Sequence, residues 1–114
     1  MAMTSAARLS ELAVDEPTRV DLDGVPVCLV RHGESVHAVH DTCSHQEYSL
    51  SEGIVFGGAI ECALHGSMFG LEDGAPDSLP ATKPIPTFAV QVDGDDVRVD
   101  VEHQTNDAPW PDHF

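Results

Sequence analysis

Cys43-Ser44-His45, then sixteen residues, then Cys62-Ala63-Leu64-His65: the reading of this stretch decides the rest of the chain. Each short pair offers one soft thiolate and one imidazole. Four such groups in 114 residues read as the ligands of one metal centre. Two occupants fit that donor set. One is a single tetrahedral zinc, structural and redox-silent. The other is a [2Fe–2S] cluster with both cysteines on one iron and both histidines on the other. Spacing separates them. Structural zinc sites commonly pair like with like, two cysteines close together and two histidines close together. Here each pair is mixed, which lets each loop reach both irons of a two-iron cluster.

The rest of the composition frames that centre. A chain of 114 residues is one domain and buries roughly two-thirds of its unfolded surface. Apolar content is 41% with one Trp, one Tyr and four Phe, so the core is mostly aliphatic. Nine glycines and eight prolines suit many turns rather than a helical bundle, and the valine-rich runs between them argue for strands. Five basic residues stand against twenty acidic ones, a net charge of −15. Such a surface repels nucleic acid and anionic membrane, and complements a basic patch on a partner protein. No Lys or Arg occurs from Asp41 to Ser78, whereas Asp41, Glu47, Glu52, Glu61, Glu72, Asp73 and Asp77 are all acidic. Three cysteines are too few and odd in number for a secreted disulfide scaffold. No apolar run approaches the ~18 residues of a membrane span, and Met1 to Ser10 lacks the apolar stretch of a signal peptide. The chain reads as cytoplasmic, in a reducing compartment where thiols are free to bind metal.

Outward from the ligands, the sequence reads as short strands. Ser10-Glu11-Leu12 forms one helical turn before Pro17. Thr18 to Asp23 alternates polar and apolar, and Asp23-Gly24 turns it. Pro26 to Val30 is a continuous apolar strand, and Ser35 to Val39 alternates again, so three runs make a meander. The ligand segment interrupts this meander from about His40 to about Pro76. Within it, Phe56-Gly57-Gly58 is a turn, Ala59-Ile60-Glu61 a short strand into Cys62, and Ser67 to Leu71 a run away from the second pair, turned by Glu72-Asp73-Gly74. Pro76, Pro80, Pro84 and Pro86 make a stiff return. Thr87 to Val92 and Val97 to Val101 form a last hairpin around Asp93-Gly94-Asp95-Asp96. The expected architecture is all-β: a small antiparallel barrel or sandwich, single-domain over 1–114. Its cluster-binding subdomain, about 40–76, is inserted in a basal β domain, 8–39 and 77–102, and a tail spans 103–114. Cys28 reads as a buried, inert thiol. His32, His37, His103 and His113 read as surface residues, and His40 as a solvated loop histidine. The glycines serve turns, and several let backbone N–H groups approach the cluster sulfurs.

The C-x-H and C-x-x-H pairs at their separation of sixteen residues resemble the Rieske ferredoxin family. Asp41-Thr42 ahead of the first pair, Leu50-Ser51-Glu52-Gly53 behind it, and Gly66-Ser67-Met68-Phe69 behind the second add to the likeness. So do Thr82-Lys83-Pro84-Ile85 and the final hairpin, and the resemblance covers nearly the whole chain beyond about residue 10. It implies the Rieske fold and one [2Fe–2S] cluster. By the same resemblance Cys43 and Cys62 hold the inner iron, and His45 and His65 the outer, surface iron. Gln46, Tyr48, Leu64, Gly66, Ser67, Phe69 and Pro80 form the surroundings, with Leu64 shielding the cluster and Met68 and Phe69 packed beside it. High-potential members of the family carry a disulfide between the two loops. Its cysteines would fall at Tyr48 and Leu64, so that bridge is absent here. They also place a Tyr where Phe69 stands, so one hydrogen bond to the cluster is missing although Ser67 is kept. Many relatives have Pro at the position of Ala63, a departure that leaves the ligands untouched. Fewer hydrogen bonds and a dense acidic field imply a potential low in the Rieske range, ~ −150 mV.

The resemblance further implies function. No nucleotide-binding glycine loop, nucleophile–base pair or mononuclear-iron site appears in the sequence. The chain reads as a soluble, monomeric electron carrier and not an enzyme. Proteins of this type take electrons from an NAD(P)H-dependent flavoprotein ferredoxin reductase. They pass them to the terminal oxygenase of an aromatic-ring-hydroxylating dioxygenase. The expected docking face is the apolar rim around His45 and His65, with Gln46, Leu64, Met68 and Pro80 as neighbours and acidic residues such as Glu47 and Asp77 outside. Two alternatives stay open on sequence: the small subunit of an oxidoreductase such as nitrite reductase, and a zinc-stabilised interaction module.

Overall fold

The continuous apolar run near residue 28 has a direct structural cause. In the computed structural model, which describes residues 3–33, 35–42, 49–62, 67–76 and 84–108, this run is strand β3 (Val25–His32). Its Val27 and Leu29 face one core, with Leu22, Ala38, Phe88 and Val99. Its Cys28 and Val30 face a second core, with Val39, Leu50, Ile60, Cys62, Phe69 and Ile85. A strand buried on both faces cannot alternate, so its sequence reads as an unbroken apolar stretch. Val27, Cys28, Leu29 and Val30 are all fully buried. Each such aliphatic side chain contributes about 1.5–3 kcal/mol of burial.

The neighbours of β3 follow the expected meander. β2 (Thr18–Leu22) pairs antiparallel with β3 from Thr18↔Leu29 to Leu22↔Val25. β4 (Ser35–His40) pairs on the other side, from Val27↔His40 to His32↔Ser35. The last hairpin joins β8 (Thr87–Asp93) and β9 (Asp96–Gln104), and β8 pairs with β4 through Ala38↔Phe88 and Val39↔Thr87. With an N-terminal strand β1 (Thr4–Arg8), the six-stranded sheet therefore runs β1-β9-β8-β4-β3-β2. Its outer strands β1 and β2 come into contact, which curls it toward a closed antiparallel barrel around the first core. No α-helix occurs among the described residues; the turn expected at Ser10 to Leu12 is a 3-10 turn over Leu9–Glu11.

Two strands depart from the sequence reading. β1 (Thr4–Arg8) lies where no strand is expected. Its Thr-Ser-Ala-Ala-Arg sequence carries no apolar alternation. It becomes a strand by hydrogen-bonding along the outer edge of β9, from Thr4↔Val99 to Arg8↔Asp96, where Ala6 and Ala7 are small enough to pack on the barrel core. β5 (Ile54–Phe56) precedes the Gly57-Gly58 turn. Only its middle residue, Val55, is buried, while Ile54 and Phe56 are 63% and 74% exposed. Phe56 is expected in the turn, but it pairs with Ala59 as the last residue of the strand, its side chain facing outward.

Between β4 and β8 the chain builds a second, three-stranded sheet, β5-β6-β7, with β6 (Ala59–Glu61) in the middle and β7 (Met68–Gly70) at the far edge. Gly57 and Gly58 both have positive φ, 59° and 79°, as a two-residue turn of this hand requires. The inner face of this sheet supplies Val55, Ile60 and Phe69 to the core shared with Cys28, Val30 and Val39. The small sheet thus stands on the outer face of β3 and β4.

The chain beyond β9 stays attached through residue 108. Asn106 uses its whole amide. Its Nδ2 donates to the carbonyls of Asp73 (2.9 Å) and Ile85 (2.8 Å), and its Oδ1 accepts from the Thr87 N–H (3.2 Å) and Gln104 Nε2 (3.0 Å). Residues 109–114 lie outside the described residues.

Candidate metal centre

The described residues on either side of the first expected ligand pair, 42 and 49, are held together. β4 delivers His40, Asp41 and Thr42 in succession. Thr42 and Ser49 form an antiparallel bridge; residues 43–48 lie outside the described residues. Asp41 strengthens the neck. Its backbone N–H donates to the Pro26 carbonyl (3.0 Å), and its own carbonyl accepts from the Leu50 N–H (3.2 Å). Its carboxylate, 1% exposed, accepts from the Ser51 N–H (2.6 Å), the Ser51 hydroxyl (3.1 Å) and the Ser49 hydroxyl. The Arg19 guanidinium lies 3.7 Å from it. Leu50, fully buried, then opens a 3-10 turn over Leu50–Glu52.

The second pair grows from the β6–β7 hairpin. The Cys62 N–H donates to the Ser67 carbonyl (2.7 Å), which joins two buried residues on either side of 63–66. Cys62 is 1% exposed and Ser67 fully buried. The two necks are neighbours. Ile54 pairs with Glu61, and Gly53, the residue before β5, sits so close to that strand that a Cβ would lie 1.7 Å from the Glu61 carbonyl oxygen. Only the absent side chain of Gly53 lets the exit of the first loop lie against the entry of the second.

A third segment converges behind them. Phe69 bridges to Pro76, Gly70 N–H donates to the Ala75 carbonyl (2.9 Å), and Ile85 N–H donates to the Gly74 carbonyl (2.9 Å). The Asn106 amide ties that last neck from outside.

Of the expected site residues, Cys62, Ser67 and Phe69 are described, and the structure brings them together: Phe69 is fully buried in the same core as Cys62, and Ser67 caps the Cys62 loop. Cys43, His45, Gln46, Tyr48, Leu64, Gly66, His65 and Pro80 lie outside the described residues. Two histidines differ from expectation. His40 is not a solvated loop residue but the buried last residue of β4, its N–H donating to the Pro86 carbonyl (2.9 Å). Burial, aided by the Arg19 charge, pulls its pKa down to about 4. His37 is half-buried, and burial lowers its pKa too, against the pull of Glu72. His32 is exposed and pairs with Asp15 at 2.8 Å. Cys28 is buried in the core, where desolvation pushes its thiol well above the ordinary range. It is therefore a neutral packing group with no metal chemistry. Sequence reasoning missed the part played by Asp41. Its signal was an acidic residue two places before the first cysteine, with serines at 49 and 51 able to donate to it.

Comparison with known proteins meets this geometry. The family profile described as the Rieske [2Fe-2S] domain matches residues 2–89. The ferredoxin component of biphenyl 2,3-dioxygenase from Rhodococcus jostii (strain RHA1) is 38% identical over 102 residues, covering 90% of this chain and 95% of that one. The ferredoxin of carbazole 1,9a-dioxygenase from Nocardioides aromaticivorans IC177 superposes with a TM-score of 0.83 at 39% identity, over 87% of this chain and 97% of that chain. A ferredoxin solved in complex with the oxygenase of carbazole 1,9a-dioxygenase superposes with a TM-score of 0.81 at 36% identity, over 85% of this chain and 91% of that one.

The described residues fit a cluster of this kind. Two loops with adjacent necks each carry one thiol and one imidazole in sequence. The thiol that is described, Cys62, is shut from water, which suits a ligand of an inner, buried iron. No described helix is long and apolar enough to cross a membrane.

Proposed function

Because the chain belongs to the Rieske [2Fe–2S] domain family, we propose that it is the electron carrier of an aromatic-ring dioxygenase system, with Cys43 and Cys62 on the inner iron and His45 and His65 on the outer. The observation that carries this reading is the match, along nearly the full length of both chains, to a protein named as a dioxygenase ferredoxin component. The cluster-binding unit is the segment 40–76, and the body around it is scaffold. When bound, the cluster supplies one reversible electron.

The protein's own residues do the rest. The buried floor formed by Cys62, Ser67 and Phe69 excludes water from the cysteine side, so exchange of electrons is confined to the histidine side. Neutral imidazoles leave the centre less negative than four thiolates would, which raises its potential above that of an all-cysteine cluster. Phe69 has no hydroxyl to donate a hydrogen bond to the cluster, so the potential stays low in the Rieske range. The acidic surface, with no Lys or Arg from Asp41 to Ser78, draws in partners that present Lys and Arg around their own redox groups. Those partners are a flavoprotein reductase on the donor side and a terminal oxygenase on the acceptor side, each met by a monomer in turn.

The test is reconstitution. With NADH, a flavoprotein ferredoxin reductase and a terminal oxygenase of the biphenyl or carbazole type, hydroxylated product should depend on added protein, and the rate should fall as salt rises. Cys62→Ser should abolish it. Product at an unchanged rate without the protein, in a mixture whose oxygenase is active with another carrier, refutes the proposal.

A further inference from the structure

We infer that Asp41 is a positioning residue for the first ligand loop: its buried carboxylate holds the two ends of residues 43–48 together and so sets where Cys43 and His45 stand. The inference rests on the ligand assignment proposed above.

The geometry is that of a strut. Asp41 is anchored to the barrel by its N–H on the Pro26 carbonyl. From that fixed point one carboxylate oxygen accepts the Ser51 N–H, and the other accepts the hydroxyls of both Ser49 and Ser51. The two hydroxyls are themselves 2.8 Å apart. Entry and exit of the loop are thus joined through one side chain, in addition to the Thr42–Ser49 bridge. Stability alone does not account for it. A carboxylate taken fully out of water costs several kcal/mol, and a well-packed apolar pair usually closes a loop with less penalty. The half-exposed Arg19 at 3.7 Å offsets little of that cost. What a buried, fully donated carboxylate does provide is a single geometry, because three donors from two residues meet one rigid plane. Outer groups of this sort commonly change metal affinity by about 10–100-fold when removed.

The test uses the cluster-loaded protein at neutral pH with Asp41→Ala, Asp41→Asn, Ser51→Ala, and Val99→Ala as a control. Val99 is fully buried in the barrel core on β9, away from the loop necks, so its truncation lowers the thermal midpoint without touching them. Two readouts are taken well below that midpoint: the rate of iron loss to a chelator and the EPR line shape of the reduced protein. Asp41→Ala should lose iron about tenfold faster with a broadened signal. Asn keeps an oxygen for the Ser51 N–H but not the second acceptor, so Asp41→Asn and Ser51→Ala should fall between it and wild type. Val99→Ala should match wild type in both. If Asp41→Ala does not fold, the two intermediate variants still decide the matter. Iron loss and line shape in the Asp41 and Ser51 variants no different from Val99→Ala would overturn the inference. Cys43→Ser separates the two layers: loss of the cluster there, with wild-type behaviour in Asp41→Ala, sinks the strut alone, whereas a cluster retained in Cys43→Ser sinks the ligand assignment.

Discussion

Replacing Gly53 by alanine adds one methyl group at the point where the two ligand loops meet. Its consequences follow from three distances. The new Cβ would lie 1.7 Å from the Glu61 carbonyl oxygen, 2.9 Å from the Glu61 carbonyl carbon and 3.2 Å from the Leu50 carbonyl oxygen. All three are backbone atoms, so no side chain can swing aside. To restore ordinary contact, Glu61 and Gly53 must separate by more than ~1 Å, which pulls apart the β5–β6 pairing at Ile54↔Glu61. Overpacking of this kind costs typically 1–3 kcal/mol, and one or two strained ladder hydrogen bonds add about 1 kcal/mol each. We expect a loss of about 3–4 kcal/mol, or a midpoint lower by roughly 10–20 °C for a domain this size. Gly53 has φ −89°, so none of that is backbone strain. Gly33→Ala provides the contrast: φ there is +63° with nothing near the added carbon, and the cost should be only about 1–2 kcal/mol. Thermal unfolding followed by far-UV circular dichroism measures the fold, and visible absorbance of the same samples follows the cluster. Because Gly53 joins the necks, its variant should bleach below its unfolding temperature, and Gly33→Ala should bleach with unfolding. A Gly53→Ala protein as stable as wild type would show that the Gly53–Glu61 contact has room for a side chain.

Three further outcomes are expected. Burial keeps His40 neutral, with a pKa of about 4 against 6.5 in the open chain. The unfolded chain therefore takes up the proton first, and stability is lost as pH falls from 6.5 toward 4. That is on the order of 3 kcal/mol; His40→Leu should flatten that slope in urea titrations, and an identical slope would show that His40 does not carry it. Asn106→Ala strands two carbonyls and the Thr87 N–H, a loss of about 2–3 kcal/mol by chemical denaturation; a change under 0.5 kcal/mol would mean water replaces the amide. Protein-film voltammetry should give a midpoint near ~ −150 mV, and a value above zero would contradict the low-potential reading built on Tyr48, Leu64 and Phe69.

How far the sequence could be read depended on which physical signal each segment carries. The β3 run was legible because double-sided burial leaves an unbroken apolar stretch, and the Gly57-Gly58 and Asp93-Gly94 turns because glycine there answers a backbone demand. β1 was illegible because its cause lies ninety residues away, on the edge of β9. His40 was misread for a similar reason. Its neighbours Asp41 and Thr42 suggest a loop, yet β3 and the Pro86 carbonyl hold it in the sheet. The proposed ligand motif rests on residue type and spacing alone. The devices that serve it were not legible that way: the bare Cα of Gly53 against Glu61, the Asp41 carboxylate among serines, and Asn106 reaching back to Asp73 and Ile85. Each depends on contacts between residues eight to thirty-three positions apart, which no local pattern encodes.

Two thiolates and two imidazoles are proposed to hold one two-iron cluster. Electron–nuclear double resonance on the reduced protein, labelled with 15N-histidine, tests this assignment most directly. The protein should be red-brown with two coupled histidine nitrogens, a pattern that His65→Ala disturbs and His40→Leu leaves intact. A reduced signal without histidine coupling, or a colourless protein holding one zinc, would contradict it.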